Sequence, residues 1–143
     1  MAGPSSQPPT AAGPASATLV RIADQSQIEF ELEFFSSLLE HSPDFVEVLK
    51  EHAKNLAQVR RHPEGLSIDR RIAQLRPGDS LARYNLACSL ALTRHKDEAI
   101  AELREAVQLG YRDFDFIKQD RDLDAIRRDP RFREILREYD RTR

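Results

Sequence analysis

Apolar residues recur at helical spacing on both sides of a short polar turn between Pro77 and Tyr111. The first stripe is Leu86, Ala87 and Leu90, and the second is Ala99, Leu103, Ala106 and Val107. Thr93 to Lys96 joins the stripes and is too short for anything but an antiparallel return. The pattern predicts a helical hairpin that ends at Leu109-Gly110, because glycine readily adopts the left-handed conformation needed at a helix C-terminus.

The hairpin belongs to a longer period in the chain. Pro43 precedes Pro77 by one interval of about 34 residues, and a second such interval leads to Tyr111. The segment from Pro43 to Arg76 carries a first stripe of Leu49, Ala53 and Leu56, and a second of Gly65, Ile68, Ile72 and Leu75. We predict that Ser42 or Asp44 caps its first helix, with Pro43 in the first turn. That helix should end at His62, before Pro63, and the second should run from about Glu64 to Arg76.

The residues before Pro43 allow two interpretations. Ile28 to Phe34 alternates apolar and acidic residues like a half-buried strand, but Phe35, Leu38 and Leu39 continue a helical stripe from Ile28 and Leu32. The helix fits the period, so residues 27–42 are predicted as the second helix of a half repeat. Its Phe30, Phe34 or Phe35 should leave an apolar surface. Residues 1–18 are rich in Pro, Ala and Ser and predict a disordered tail, while the state of residues 19–26 stays open.

The segment from 111 to 143 departs from the repeat spacing. Asp129 is positioned to cap a last helix and Pro130 to occupy its first turn, so that Phe132, Ile135, Leu136 and Tyr139 share one face. Phe116, Ile117, Leu123 and Ile126 precede them. An array exposes an apolar flank at its end, so this segment is predicted to close it.

These residues resemble the tetratricopeptide repeat (TPR) family. Leu86, Ala87, Leu90, Ala99, Leu103 and Ala106 stand at its signature positions, whereas Tyr111 replaces the closing proline, and Arg83, beside Tyr84, replaces the usual Trp. Residues 111–143 are similar to the closing segments of bacterial TPR proteins through the acidic run Asp120 to Asp124, Leu123, Arg127 and Pro130-Arg131-Phe132. The resemblance covers about residues 27–141. It implies an all-α fold, a short right-handed α-solenoid of antiparallel helical hairpins, and a non-enzymatic scaffold that binds proteins.

The first repeat departs from the family pattern. Gly65 replaces the usual alanine, which weakens a helix by about 0.5–1 kcal/mol. Asp69 stands where the second repeat has Leu103, and His52 stands where it has Leu86. We therefore expect this repeat to be looser than the next one.

The charge balance and hydropathy of the chain argue against nucleic-acid and membrane partners. The chain has 24 acidic and 22 basic residues, so no basic excess favours nucleic acid. Neither a secretory signal nor a membrane span is evident, which predicts a cytoplasmic protein with no membrane partner. The single Cys88 excludes an internal disulfide.

The sequence contains no complete motif for catalysis or for metal or cofactor binding. We therefore predict no catalytic residues, no metal and no cofactor. Asp120, Asp122 and Asp124 alternate as in a calcium loop, but Ala125 and Arg131 stand where that loop needs glycine and glutamate. A helix-capping acidic run is the better interpretation. The four histidines are widely separated, and Cys88 has no visible neighbouring base.

The TPR resemblance implies a concave groove lined by successive first helices, which would hold a peptide or partner segment. Its residues would be Lys50, Lys54, Gln58, Tyr84, Asn85, Cys88 and Leu92. Lys50 and Asn85 match two positions of the carboxylate clamp of chaperone-binding TPR domains. Lys54, Asp115 and Gln119 depart from the other three, so a mildly basic peptide groove is the expectation rather than a clamp.

Two other functions remain open. The aromatic helix from Phe30 to Phe35 lacks a preceding first helix, so the chain could homo-oligomerise through this edge as a structural module. Alternatively, the proline-rich arm of residues 1–18 could itself be the ligand of another domain.

Overall fold

The computed structural model describes Gly3 and residues 14–140, and every regular element in this part of the chain is helical. The helices are α1 (Pro14–His41), α2 (Val46–Gln58), α3 (His62–Leu75), α4 (Ser80–Leu92), α5 (Lys96–Gln108), α6 (Phe114–Gln119) and α7 (Pro130–Tyr139), with a 3₁₀ turn at Arg121–Leu123 between α6 and α7. The predicted all-α fold is confirmed. None of the described helices combines the length and apolar character that crossing a membrane would require.

Helix α1 starts earlier than the predicted half repeat. The helical interpretation of Ile28 to Phe34 is confirmed, and residues 19–26 belong to the same helix. Residues 14–18, which we assigned to the disordered tail, are also helical, so that boundary is wrong. The rest of the predicted tail, apart from Gly3, lies outside the described residues. Residues 15–27 are all exposed, so the first half of α1 extends beyond the packed body.

The period of the sequence reappears in the helix ends. Arg60 and Arg94, one repeat apart, both have left-handed backbones, with φ of 60° and 66°. The two following amides, of Arg61 and His95, donate to the carbonyls of Leu56 and Leu90. This is the Schellman arrangement, which satisfies the last carbonyls of a helix. Gly110, with φ of 119°, ends α5 in the same way, as predicted.

The start and end predicted for α2 are both wrong. The left-handed residue at Arg60 stops α2 at Gln58, and His62 instead begins α3, because a proline in the first turn of a helix needs no amide partner. The N-cap of α2 is Phe45, which makes no side-chain capping bond. Asp44 pairs with Arg71 of α3 instead. By contrast, Asp79 and Asp113, again one repeat apart, cap α4 and α6.

The largest apolar core lies around α4 and α5. Ala87 and Ala99 are fully buried, as expected where two helices approach closely, and Leu90, Leu103 and Val107 complete the contact. The core continues into α6, the 3₁₀ turn and α7. A smaller cluster joins Leu49, Ile72 and Ala82, with Leu39 of α1 packed against it. The division into a half repeat, two repeats and a cap stays a prediction.

Arg127 makes several contacts that link parts of the C-terminal segment. Asp129 caps α7 and Pro130 starts it, as predicted, and Phe132 and Ile135 are buried. The Arg127 guanidinium donates to the carbonyls of Ile117, Lys118 and Asp120. It also lies 5.6 Å from the centre of the Phe132 ring. Arg127 therefore ties the end of α6 to α7 across an irregular segment.

Candidate functional site

A groove of about 420 Å³ separates α2 from α4. Its walls come from these two first helices, its floor from α3, and one end from Asp122 after α6. The groove is lined by Lys50, Glu51, Ala53, Lys54, Ala57, His62, Gly65, Asp69, Ile72, Asp79, Leu81, Ala82, Asn85, Cys88, Ser89, Leu92 and Asp122. Six of these residues are small, namely Ala53, Ala57, Gly65, Ala82, Cys88 and Ser89, which leaves room for a chain segment between the two helices.

Most of the predicted site residues meet here. Lys50 and Lys54 are exposed on one wall, and Asn85 and Leu92 stand on the other. Cys88 also lines the groove, although it is largely buried. Gln58 is exposed but lies outside the lining, because α2 ends there and the chain turns away. The structure thus brings together five of the seven residues.

The prediction that Tyr84 faces a partner is wrong. Its side chain is only 2% exposed, because the segment after α6 covers it. The Tyr84 hydroxyl donates to Asp120 Oδ2 at 2.6 Å, and its ring stacks on Tyr111 with 4.2 Å between centroids. Burial raises the pKa of Tyr84 above its usual range. Tyr84 is therefore a structural link between α4 and the C-terminal segment.

The groove carries both signs of charge. This corrects the mildly basic groove that we expected from its lysines. Lys50, Lys54 and His62 share the lining with four carboxylates, namely Glu51, Asp69, Asp79 and Asp122. Two of these have structural roles, since Asp79 caps α4 and Asp69 accepts a hydrogen bond from Ser89. The result is a mixed surface, with Lys50, Lys54 and Glu51 on the α2 wall and the other three carboxylates on the floor and at the ends.

Asp69 is the most unusual residue of the floor. It is 9% exposed, and its Oδ2 accepts a hydrogen bond of 2.5 Å from the Ser89 hydroxyl. Burial disfavours the charged carboxylate more than this single bond favours it, which raises the pKa of Asp69 to about 6. Near neutral pH the floor of the groove therefore holds a carboxylate that is energetically close to its neutral form.

The floor residues are the ones that sequence reasoning missed. Gly65 and Asp69 looked like weaknesses of the first repeat, and the resemblance assigned the groove to first helices alone. The structure places both in the lining of the groove, on a second helix. Their departure from the repeat pattern was the available signal, because residues that break a local rule often serve a site.

Cys88 has neighbours that the sequence did not reveal. Its sulfur and the carboxylate oxygens of Asp120 and Asp122 lie within 4.8 Å of one another, which is close enough for metal ligands. However, the thiol and the Tyr84 hydroxyl both donate to Asp120, which also accepts from the Asp122 amide. Burial raises the pKa of the Cys88 thiol, which keeps it protonated and a poor ligand. These contacts form a hydrogen-bond network, with Asp120 in the predicted capping role.

Comparison with solved structures shows the architecture. The solved chain of MamA from Desulfovibrio magneticus RS-1, from residue 41 to the end, superimposes with a TM-score of 0.58 and 16% sequence identity, covering 87% of this chain and 72% of that one. A double mutant of MamA RS-1 gives a TM-score of 0.57 at 16% identity, over 85% of this chain and 72% of that one. The fold is a TPR-like α-solenoid. At this identity the likeness concerns the fold alone.

Comparison with known protein sequences matches a smaller part of the chain than the structural comparison does. A chloroplastic protein from Arabidopsis thaliana is 34% identical over 61 residues. The match covers 43% of this chain and only 18% of the plant protein, so the chain spans a small part of that relative. No protein-family model matches the chain.

Proposed function

We propose that this protein is a non-enzymatic interaction scaffold that holds a segment of a partner protein in the groove between α2 and α4. The observation that carries the proposal is the position of Gly65 and Asp69. Both break the repeat pattern at a cost to stability, and both line the groove. Helical-repeat proteins use concave surfaces of this kind to bind peptides and partner helices.

The lining suggests what the segment would contain. Lys50 and Lys54 offer cations to an acidic side chain or a terminal carboxylate, and Asn85 offers an amide on the opposite wall. Ala53, Ala57 and Leu92 provide an apolar surface between these polar groups. A segment with small or apolar residues and at least one acidic group matches this arrangement. The groove supplies two of the positions of a carboxylate clamp and not a complete one.

A steric variant tests the groove directly. Ala57 lines the groove and is exposed, so Ala57→Trp should fill the space without removing a buried contact. Ala101→Trp is the matched control, because Ala101 is exposed on α5 and lies outside the groove. A random peptide library selected on the wild-type protein should yield binders that Ala57→Trp loses and Ala101→Trp keeps. Retention of all binders by Ala57→Trp would contradict the proposal.

The lysines provide a second test by charge. Lys50→Glu combined with Lys54→Glu should weaken the selected peptides by about tenfold or more, with the greatest effect on acidic ones. Arg128→Glu with Arg133→Glu changes the net charge equally at exposed positions outside the groove. Equal binding by the two double variants would mean that the lysines do not contact the ligand.

Self-association through α1 is the second candidate function. Its supporting observation is the apolar surface of α1, where Phe30 is 63% exposed and Phe34 48%. Light scattering over a roughly hundredfold range of protein concentration would detect such an assembly by mass action. A constant monomer mass would remove this candidate. The acidic residues beside these aromatics weigh against it.

A further inference from the structure

Helix α1 has two apolar sides, and only one of them is covered. Leu32 is buried, and Ile28, Phe35 and Leu39 are partly buried on the same side. Phe30, Phe34 and Leu38 lie at intervals of four residues on the other side, which we call the α1 ridge. Phe30 and Phe34 stack with 6.0 Å between ring centroids, and Leu38 is 39% exposed. The ridge is thus a continuous apolar surface that the described residues leave open.

A row of carboxylates runs beside this ridge. Glu29, Glu33 and Glu40 follow one another at spacings of four and seven residues, so they share one side of the helix, next to Phe30 and Phe34. All three are exposed. None of them takes part in an ion pair or side-chain hydrogen bond recorded among the described residues. This acidic row is therefore available to a cation from outside.

Beside the ridge, α1 itself has no lysine or arginine to balance this row. Between Ile22 and Glu40 it has four acidic residues besides Asp24 and no lysine, arginine or histidine. His41 follows on the ridge side, seven residues after Phe34, and its Nδ1 lies 3.2 Å from the Ser37 carbonyl oxygen. Arg21 precedes Ile28 by seven residues and Leu32 by eleven, so it lies on the opposite side of α1 from the ridge. Glu31 belongs to the body, because it accepts hydrogen bonds from Gln27 and Asn55. The exposed side of α1 is consequently an apolar ridge with an acidic flank.

We propose that the α1 ridge docks an amphipathic helix of a partner protein, with large apolar residues spaced four apart and lysines or arginines along one flank. The apolar residues would pack on Phe30, Phe34 and Leu38, and the basic residues would face the acidic row. The ridge of a second copy of this chain would carry the same acidic flank and no lysine or arginine to face it, which disfavours that pairing. This surface is separate from the groove, whose lining includes no residue of α1.

The test uses a defined probe. A fluorescently labelled synthetic helix with leucines every four residues and an arginine flank is titrated with the full chain, and anisotropy is read at low and high salt. A matched peptide with glutamate in place of each arginine is the charge control. We expect saturable binding of the arginine peptide, weakened at high salt, and binding of the glutamate peptide at least about tenfold weaker.

Variants of the protein locate the site. Phe30→Ser with Phe34→Ser, and separately Glu29→Gln with Glu33→Gln, should each weaken the arginine peptide by about tenfold. All four residues are exposed, so these variants should fold. Glu105→Gln with Glu134→Gln removes two exposed charges from α5 and α7 and should leave binding unchanged. Ala57→Trp should also have no effect, which separates this proposal from the groove.

Several outcomes would overturn the proposal. They are equal affinity for the two peptides, no saturable binding, or binding that is lost in Ala57→Trp but kept in the ridge variants. Concentration-dependent dimerisation of the protein alone, abolished by Phe30→Ser with Phe34→Ser, would assign the ridge to a second copy and reject a basic partner.

Discussion

Three of the described helices of this protein end at a residue with a left-handed backbone. Among the described residues, Arg60, Arg94 and Gly110 have positive φ values at helix ends, although arginine carries the Cβ that disfavours this conformation. The tight antiparallel return between helices imposes the geometry, and the backbone hydrogen bonds that follow satisfy the helix carbonyls. The surrounding structure thus holds Arg60 and Arg94 in a backbone conformation that arginine rarely adopts.

Glycine at position 94 should therefore stabilise the protein. A left-handed residue with a Cβ costs about 1–2 kcal/mol, whereas glycine costs about 0.5–1 kcal/mol through the entropy of the unfolded chain. We expect Arg94→Gly to raise the free energy of unfolding by about 0.5–1 kcal/mol, measured by urea denaturation. Arg94→Ala is the control, since it removes the charge but keeps the Cβ. Equal stability of the two variants would argue against strain at this position.

Asp69 should make stability depend on pH. Its pKa is raised to about 6 in the folded state from a usual value of 3.8, so the folded protein binds the proton more tightly than the unfolded chain. The contribution of Asp69 to stability therefore falls as pH rises from about 4 to about 6, and its full cost, on the order of 3 kcal/mol, applies above that window.

Two substitutions of Asp69 distinguish the effect of its charge on stability from the effect of its side-chain shape. Asp69→Leu, which copies the buried Leu103 of the next repeat, should stabilise the protein more at pH 7.5 than at pH 4.5. Asp69→Asn keeps an acceptor for Ser89 and should remove the same pH dependence while preserving the floor of the groove. Thermal unfolding across this range measures both. A difference from wild type that is independent of pH would show that Asp69 keeps an ordinary pKa.

At the scale of elements, the irregular segment between α6 and α7 depends on contacts that regular helices do not need. Six residues of α6 cannot form a stable helix alone, and the 3₁₀ turn adds only three more. Their order comes from buried Phe114, Ile117 and Leu123, and from Arg127. The same segment buries Tyr84, so it also decides which side of α4 is open.

Removing the Arg127 guanidinium should loosen this segment. Arg127→Met retains much of the side-chain length but leaves three backbone carbonyls without their donor. We expect a loss of about 2–3 kcal/mol in the free energy of unfolding. Arg128→Met changes an exposed neighbour and should cost less than about 0.5 kcal/mol. Similar unfolding midpoints for the two variants would exclude the structural role assigned to Arg127.

Across the whole molecule, the packing is uneven along the chain. The larger core spans α3 to α7, the smaller cluster links α1 to α4, and residues 15–27 of α1 are exposed. His52, one interval of 34 residues before Leu86, has a buried Nδ1 with no hydrogen-bond partner among the described residues. Residues 43–76 bury His52 and Asp69 where the following interval buries Leu86 and Leu103. Burying polar groups costs free energy, which is the physical basis for our prediction that this segment is looser.

Hydrogen exchange should follow this gradient. In repeat proteins each unit is stabilised mainly by its neighbours, so opening can begin at an end of the array. We expect amides of residues 15–27 to exchange fastest, those of α2 and α3 more slowly, and those of α4 and α5 slowest. Mass spectrometry after timed deuterium exchange measures this order. Uniform protection from α1 to α5 would mean that the chain opens only as a single cooperative unit.

The sequence by itself determined the helical fold, the positions of most helices and the residues of the main core. These features follow from spacing, capping residues and a repeated interval, which are local along the chain. It did not determine the open side of α4, because that depends on Asp120 and Tyr111, which pack on Tyr84 from distant parts of the chain. Nor did it place Gly65 and Asp69 in the groove. Only the tertiary structure decided these points, since the rotation of each helix against its neighbours is fixed by packing.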